Sequence, residues 1–190
     1  MPIPRLDPDE CALLVIDVQE RLIGTIHRSD LLVRRASALV QGCALLKIPV
    51  IATEQYVRGL GPTVASLAAS FPTGTPVFGK EKFSALIPAV TAELSRLKRR
   101  TLLVCGIEAH VCVLQTVLDA CTQGIQPFHV TDAISAGQPD QIAPALSRME
   151  RAGSIPTGCV SALYELMGSC DNPVFKPMLP IAKAIISPSD

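Results

Sequence analysis

Three residues of types that could act together in catalysis each lie at or near the end of a short apolar run. Cys112 stands in GIEAHVCV, residues 106–113, between the run TLLVC and a segment with helical spacing. Asp17 interrupts LLVIDVQ, and Lys80 ends PVFGK. A cysteine becomes a nucleophile when a base takes its proton and a nearby cation stabilises the thiolate. The three residues together therefore indicate nucleophilic catalysis at a thiol.

Each of the three also has a purely structural explanation. Cysteine is among the residues most often buried in protein cores, and the chain contains six others. Asp17 could form a structural ion pair or cap a helix, and Lys80 could be a solvated loop residue. Cys112 differs from the other cysteines because it is expected in the first turn of a helix, close to a lysine. Both features lower the pKa of a thiol, so we favour the catalytic interpretation.

The elements that must position these residues follow from an alternation along the chain. Short apolar runs, bounded by Gly, Pro or polar residues, have the pattern of strands buried on both faces. Helical stretches lie between most of them, which predicts a parallel sheet with right-handed crossovers. The predicted fold is a three-layer, Rossmann-like α/β sandwich. Its strands are expected at residues 11–18, 49–55, 76–80, 101–107, 125–133 and 154–162.

Apolar residues at intervals of three and four mark the helices. Residues 29–47 form one such stretch, with Ser29 or Asp30 as the expected N-cap. A second runs from Val111 to Cys121 and is closed by Gly124. The basic cluster RLKRR, residues 96–100, is interpreted as a solvated helix end before a strand. The proline-rich NPVFKPMLP, residues 172–180, is expected to wrap around the surface or a neighbouring subunit.

The composition limits the partners of the protein. A chain of 190 residues fits a single domain, 1–190. Lys plus Arg and Asp plus Glu number 17 each, a balance that argues against electrostatic binding to nucleic acid. No apolar run reaches membrane-spanning length, and the N-terminal residues lack a signal-peptide pattern. Because 48% of the residues are apolar and only 18% are charged, we expect a homo-oligomer.

The cysteines and histidines predict neither a disulfide framework nor a metal site. Seven cysteines is an odd number, and they are scattered through apolar stretches without CxxC spacing. This pattern is typical of reduced thiols in a cytosolic protein, so a cytoplasmic location is expected. The three histidines are too dispersed to predict a metal site, and no cofactor is expected. They are His27, His110 and His129.

Ligands of open parallel sheets bind beyond the carboxyl ends of the strands. Polar and aromatic side chains at the predicted strand ends are therefore candidates for substrate contacts. The alternative for Glu54, Gln55, Tyr56 and Phe83 is a charged loop packed by ordinary aromatic side chains. His110 could face solvent instead of a substrate. The candidates are Gln19, Glu54, Gln55, Tyr56, Phe83 and His110.

Four stretches of the chain are distinctive as a set: LLVIDVQERL, TEQYVRGLGPTV, GKEKFSALIP and CGIEAHVCVLQTVLDA. They resemble the isochorismatase-like cysteine hydrolase superfamily, and most closely its isochorismatase domain-containing branch. The resemblance runs in the family's order from about Leu13 to Ser161. It implies a six-stranded parallel sheet and an Asp-Lys-Cys triad.

The resemblance also implies a role for each residue of the triad. Asp17 would be the acid/base and Cys112 the nucleophile, with a lysine that keeps both in their charged forms. The family's lysine stands four residues before the serine of a KxxxSA pattern, here Ser84, which selects Lys80 and leaves Lys82 as the alternative.

The turn before Cys112 has implied features of its own. A cis peptide bond is implied between Ile107 and Glu108. The backbone N–H groups of Glu108 and Cys112 would form the oxyanion hole.

The predicted function is a cysteine hydrolase that cleaves a small-molecule amide, imidate or related C–N bond through a thioester-type intermediate. Cleavage of the vinyl ether of an isochorismate-like substrate needs no thiol nucleophile, so Cys112 argues against that reaction. Metal-dependent nicotinamidases of the superfamily carry an Asp and His cluster after the second strand, whereas ATEQYVRGLGPTV contains no histidine. A non-catalytic interaction or scaffold protein on the same fold is the alternative.

Overall fold

The computed structural model of the chain describes residues 3–186, so the predicted domain 1–190 extends beyond it at both ends. One parallel sheet has the strand order β3-β2-β1-β4-β5-β6. This sheet, with helices on both faces, confirms the predicted fold class. The strands are β1 (Cys11–Ile16), β2 (Val50–Gln55), β3 (Val77–Lys80), β4 (Thr101–Gly106), β5 (Gln126–Ile134) and β6 (Ile155–Thr157).

The helices form the two outer layers. Helices α2, α8 and α9 pack on one face of the sheet, and α5, α6 and α7 pack on the other. The short helices α1, α3 and α4 lie in the connections around β2. The bounds are α1 (Glu20–Ile23), α2 (Ser29–Leu45), α3 (Val57–Leu60), α4 (Ala65–Ala68), α5 (Pro88–Leu97), α6 (Leu114–Thr122), α7 (Ile142–Arg151), α8 (Cys159–Met167) and α9 (Phe175–Ile186), with a π-helical turn at Ala109–Val113 and a 3-10 turn at Pro139–Gln141.

Strand β1 lies at the centre of the core and is buried along its whole length. Successive side chains of a strand point to opposite faces, so β1 contributes to both layers. Leu13 and Val15 pack with α2, α8 and α9, whereas Leu14 and Ile16 pack with α5, α6 and α7. The continuous apolar run of β1 therefore reflects burial between two layers of helices.

The order in which strands are added to the sheet reverses between β1 and β4. Strands β2 and β3 lie on one side of this pair, and β5 and β6 lie on the other. Such a topological switch point leaves a crevice beyond the carboxyl ends of the two strands, which is where ligands of open α/β sheets bind. Ile16 and Gly106, the last residues of β1 and β4, are paired in register. The residues that follow them therefore lie side by side.

The predicted end of the sixth strand differs from the structure. The sixth strand ends at Thr157, and residues 159–162, predicted as strand, belong to α8. The Cys159 N–H donates to Asp132 Oδ1 at 2.8 Å, so a carboxylate from β5 satisfies a free N–H at the start of α8. This contact joins residues 27 positions apart, and the local sequence pattern does not reveal it.

The N-terminal cap of α2 and the conformation of the proline-rich segment also differ from the prediction. Helix α2 begins at Ser29, but its cap residue is Arg28 in the left-handed conformation, without a side-chain capping hydrogen bond. Residues 175–180 of the proline-rich segment belong to α9, which contains Pro180 and buries Met178 and Ile185 against the core. The expectation of a segment wrapped around the surface was wrong there, because these apolar residues have helical spacing.

Within residues 3–186, no helix is both long enough and apolar enough to cross a membrane.

The buried His129 gives a first testable prediction, which concerns stability. Ser154 Oγ donates to the Pro127 carbonyl oxygen at 3.1 Å, so it can accept the Nδ1 proton of His129 at 2.8 Å. Burial lowers the pKa of His129 from its usual 6.5, and the nearby Glu150 carboxylate only partly opposes this. The unfolded chain therefore binds a proton more readily than the folded chain, and stability should fall as the pH drops below about 6.5.

The measurement is urea unfolding between pH 8 and pH 5 for the wild type and for His129→Asn, whose amide can still donate to Ser154. The free energy of unfolding should fall more steeply on acidification in the wild type than in the variant. The two slopes should differ by at most about 1.4 kcal/mol per pH unit. Equal slopes for the two proteins would contradict the prediction.

Candidate active site

Three strands bring Asp17, Lys80 and Cys112 together at the carboxyl edge of the sheet. Asp17 directly follows β1, Lys80 is the last residue of β3, and Cys112 lies in the π-helical turn that follows β4. The Asp17 and Lys80 side chains act on the pKa of the Cys112 thiol in opposite directions, so the thiol lies near both of them. The three residues identified in the sequence therefore lie together at the carboxyl edge of the sheet, next to the switch point.

Asp17 is almost completely buried and has two polar neighbours. It adopts φ 54°, a left-handed conformation that aspartate tolerates better than most residues. Thr53 Oγ1, from β2, donates to Asp17 Oδ1 at 2.8 Å. Asp17 Oδ2 lies 2.7 Å from Lys80 Nζ. The carboxylate is thus oriented by a hydroxyl on one oxygen and by a cation on the other.

Lys80, and not Lys82, extends into the cluster. The Lys80 side chain is fully buried, and its ammonium group contacts Asp17, Gln55 Oε1 at 2.7 Å and two backbone carbonyl oxygens. These oxygens belong to Lys82, at 3.1 Å, and Phe83, at 2.9 Å. The Lys82 side chain is exposed, so this residue contributes its carbonyl group rather than its charge.

Cys112 is 6% exposed, and its electrostatic surroundings differ from the prediction. Burial and, to a smaller extent, the Asp17 charge raise the pKa of its thiol to about 12, and the Lys80 charge only partly opposes them. The predicted lowering of this pKa was therefore wrong. A buried thiol beside a carboxylate keeps its proton at neutral pH, and Asp17 is the adjacent group that can accept this proton.

The turn between β4 and Cys112 depends on close backbone approach. Gly106 has φ 123°, and a Cβ atom there would collide with the backbone of Ile16, so only glycine fits. The peptide bond between Ile107 and Glu108 is cis, which confirms that prediction. The Glu108 N–H has no hydrogen-bond acceptor within residues 3–186, so it is available to a ligand.

The turn is also tied to the loop after β5. The Ala109 N–H donates to the Ser135 carbonyl oxygen at 2.9 Å, and the Gly137 N–H donates to Glu108 Oε2 at 2.9 Å. His110 Nδ1 lies 3.8 Å from the same Glu108 oxygen, and the His110 side chain is about one quarter exposed. The His110 ring therefore lies near the Glu108 carboxylate and is partly exposed to solvent.

Thr116 is a residue of the site that the sequence analysis missed. It is fully buried on α6, and its Oγ1 donates to the Cys112 carbonyl oxygen at 2.6 Å. The Thr116 hydroxyl oxygen in turn accepts the Ala85 N–H at 2.8 Å, which links the Cys112 turn to the segment after Lys80. The spacing of four residues from Cys112 could have suggested the first contact. The second contact depends on the fold.

Two predicted substrate contacts instead hold the backbone around the site. Gln19 is fully buried. Its Oε1 accepts the Gln55 N–H at 2.8 Å, and its Nε2 donates to the carbonyl oxygens of Gln55, at 2.9 Å, and Gly61, at 2.6 Å. Glu54 Oε1 accepts both the N–H and the hydroxyl of Thr63, at 2.6 and 2.8 Å. These contacts differ from the predicted roles, because they join the end of β2 to the following loop.

The remaining candidates divide into one buried and two exposed residues. Gln55 is 9% exposed and faces Lys80 rather than solvent. Tyr56 and Phe83 are 50% and 53% exposed; Tyr56 follows β2 directly, and Phe83 lies three residues after Lys80. Both side chains are exposed and belong to segments that adjoin the ends of β2 and β3, and their role as substrate contacts stays a prediction.

The described part of the chain contains no group of three or more His, Cys, Asp or Glu side chains that could hold a metal ion. His129 is fully buried against Ser154, and His27 is exposed before α2. The histidines therefore do not assemble into a metal centre within residues 3–186.

The fold and this cluster define a class of protein: a doubly wound α/β domain with a carboxylate, a lysine and a cysteine at the carboxyl edge of its sheet. Residues 11–159 match the isochorismatase domain, and the chain belongs to this family. Curated relatives include the secreted isochorismatase effector Isc1 of Phytophthora sojae, which is 36% identical over 183 residues, 94% of this chain and 87% of that protein. Human isochorismatase domain-containing protein 2 is also 36% identical, over 94% of this chain and 86% of its own.

Solved structures of similar proteins share the whole fold. A protein described as MAR1 ribonuclease from Caenorhabditis elegans superposes with a TM-score of 0.91 at 34% identity, covering 98% of this chain and 99% of its own. YcaC of Escherichia coli, described as an octameric hydrolase of unknown specificity, has a TM-score of 0.89 at 25% identity over 98% and 93% of the chains. YcaC of Pseudomonas aeruginosa, solved with covalent acrylamide, has a TM-score of 0.88 at 25% identity over 98% and 97%.

Proposed function

We propose that this member of the isochorismatase-like hydrolase family is a cysteine hydrolase acting on a small-molecule amide, imidate or related C–N bond. The observation that carries the proposal is the ion pair of Asp17 with Lys80 at 2.7 Å, which lies close enough to the Cys112 thiol for both charges to shift its pKa. A nucleophile, a base and a fixed cation are the groups that acyl transfer through a thiol requires.

The first half of the reaction forms a thioester. Asp17 takes the thiol proton while the Cys112 sulfur attacks the electrophilic carbon, and Lys80 stabilises the negative charge that develops. The N–H groups of Glu108 and Cys112 bind the resulting oxyanion. The C–N bond then breaks, and the proton held by Asp17 goes to the leaving nitrogen.

The second half releases the acid. Asp17 deprotonates a water molecule, which attacks the thioester carbon. The C–S bond breaks, the carboxylic acid leaves, and Cys112 recovers a proton from Asp17. A resting thiol with a raised pKa suits this scheme, because the proton is already on sulfur when the substrate binds and moves to Asp17 only during attack.

A screen of small primary amides, with Cys112→Ala as the matched control, tests the proposal. The wild type is expected to release ammonia from at least one amide, whereas the control releases none. Acrylamide, the molecule bound covalently in P. aeruginosa YcaC, should add to Cys112 and be located by peptide mapping. No hydrolysis of any amide, together with no acrylamide on Cys112, would favour the scaffold alternative.

Ribonuclease activity is a second candidate, favoured by the description of the C. elegans neighbour. The balanced charge of 17 basic and 17 acidic residues gives the chain little general attraction for RNA. Release of acid-soluble fragments from RNA by the wild type, and not by Cys112→Ala, would favour this function over amide hydrolysis. Vinyl-ether hydrolysis of an isochorismate-like substrate stays a third alternative, which the same variant can test.

We further propose that the protein is a cytoplasmic homo-oligomer. The E. coli neighbour is described as octameric, and large apolar side chains near the cluster and on the edge strand β3 are at least 40% exposed, namely Tyr56, Val57, Val77 and Phe83. All seven cysteines are unpaired, which suits a reducing compartment. Light scattering at micromolar concentration should give a mass of several subunits, and a monomer mass would contradict this.

A further inference from the structure

We infer that Gln55 is a positioning residue that holds the Lys80 ammonium group in place and, as a neutral acceptor, leaves the charge of Lys80 to Asp17 and Cys112. The inference rests on the proposed function and concerns the same site.

The Lys80 ammonium group has more acceptors than protons. It has three N–H bonds, and four oxygens lie within 3.1 Å: Asp17 Oδ2, Gln55 Oε1 and the carbonyl oxygens of Lys82 and Phe83. The two carbonyl groups come from the turn that directly follows Lys80. Gln55 is the neutral side chain among the four partners, and it reaches Lys80 from the neighbouring strand β2. Gln55 therefore fixes the ammonium group relative to the sheet.

The orientation of the Gln55 amide is determined by its own partners. Its Nε2 donates to the Glu81 carbonyl oxygen at 2.9 Å, so its Oε1 must face Lys80. Its backbone N–H and carbonyl group are both bound by the side chain of the buried Gln19. Since the backbone and the side-chain amide are both held, Gln55 presents Oε1 to Lys80 in one geometry.

The absence of charge on Gln55 matters because Lys80 serves two other groups. The Asp17 charge already raises the pKa of the Cys112 thiol, and the Lys80 charge opposes this effect. A glutamate at position 55 would have nearly the shape of glutamine, but its carboxylate would cancel part of the Lys80 charge. The thiolate formed during attack would then be less stable, because a nearby negative charge disfavours the charged form of a thiol.

The experiment compares the wild type with Gln55→Glu by the rate at which iodoacetamide alkylates Cys112, followed by peptide mapping from pH 5 to pH 9. We expect alkylation at pH 8 to be at least about tenfold slower in the variant, as for a shift of one pKa unit. The deficit should shrink as the pH falls, because the introduced carboxyl group, once protonated, can accept from Lys80 and donate to the Glu81 carbonyl oxygen as the glutamine amide does. A merely structural defect would not titrate in this way.

Gln123→Glu is the matched control, since it adds the same charge to an exposed turn at the opposite end of the sheet and should leave Cys112 alkylation unchanged. If Gln55→Glu does not fold, Gln55→Met replaces it, with an expected deficit of about threefold at every pH because methionine does not titrate. A wild-type rate in either variant, or a deficit in Gln55→Glu that is constant with pH, would overturn the inference. Failure of the proposed function would appear separately, as absence of amide hydrolysis by the wild type.

Discussion

Exchange of Lys80 for methionine is expected to lower amide hydrolysis at least about a hundredfold, the effect typical of losing a group that assists proton transfer. Methionine keeps most of the aliphatic stem but removes the charge that contacts Asp17 at 2.7 Å and opposes the raised pKa of Cys112. Alkylation of Cys112 should therefore slow as well. Initial rates on the amide identified by the screen, together with peptide mapping of alkylated Cys112, measure both effects.

Lys82→Met is the matched control, because the Lys82 side chain is exposed and only its carbonyl oxygen contacts Lys80. This variant should keep both rates. If Lys82→Met lost activity and Lys80→Met kept it, Lys82 would be the lysine of the site.

Folding must be separated from catalysis in Lys80→Met, since the exchange leaves the buried Asp17 without its cation. Breaking a buried ion pair in this way typically costs about 3–5 kcal/mol. The double variant Asp17→Asn, Lys80→Met has no unpaired buried charge and should regain much of the lost stability without regaining hydrolysis. Recovery of hydrolysis in the double variant would contradict both the catalytic role of Lys80 and that of Asp17 as the base.

Asp17→Asn should separate hydrolysis from thiol reactivity. Loss of the base is expected to lower hydrolysis by about 10²–10⁴-fold. The same exchange removes the Asp17 charge, which raises the pKa of Cys112, and keeps the Lys80 charge, which lowers that pKa. The pKa of Cys112 should therefore fall, and its alkylation by iodoacetamide at pH 8 should become faster than in the wild type while hydrolysis nearly stops.

Glu81→Gln is the control for Asp17→Asn, since it removes one negative charge from an exposed side chain next to Lys80 in the sequence. It should change neither rate appreciably. Slower alkylation in Asp17→Asn would contradict the electrostatic effect described for the resting thiol, and retained hydrolysis would exclude Asp17 as the base.

The fold and the three central residues could be predicted because they depend on local patterns. Asp17 and Cys112 follow the buried strands β1 and β4, whereas Lys80 ends the edge strand β3, whose other residues are exposed or half-buried. The carboxyl ends of parallel strands share one edge, so the strand ends alone indicated that the three residues meet. The preference for Lys80 over Lys82 followed from the resemblance and from the end of the strand, and the buried position of Lys80 agrees with it.

The remaining features depend on distances that the sequence does not contain. The helix start and the lysine near Cys112 suggested a lowered thiol pKa, but burial and the Asp17 charge have the larger effect. Gln19 lies at a strand end, as a substrate contact would, yet it binds the backbone of β2. Thr116 was missed because its bond to Ala85 joins segments 31 residues apart.

The protonated resting state of Cys112 also affects how the protein withstands oxidants. Peroxides and disulfides react with thiolates, and a buried thiol with a raised pKa forms little thiolate at neutral pH, so slow oxidation of Cys112 is expected. Cys170, which is exposed at the surface, meets such reagents first. Limited treatment with peroxide should therefore oxidise Cys170 before Cys112.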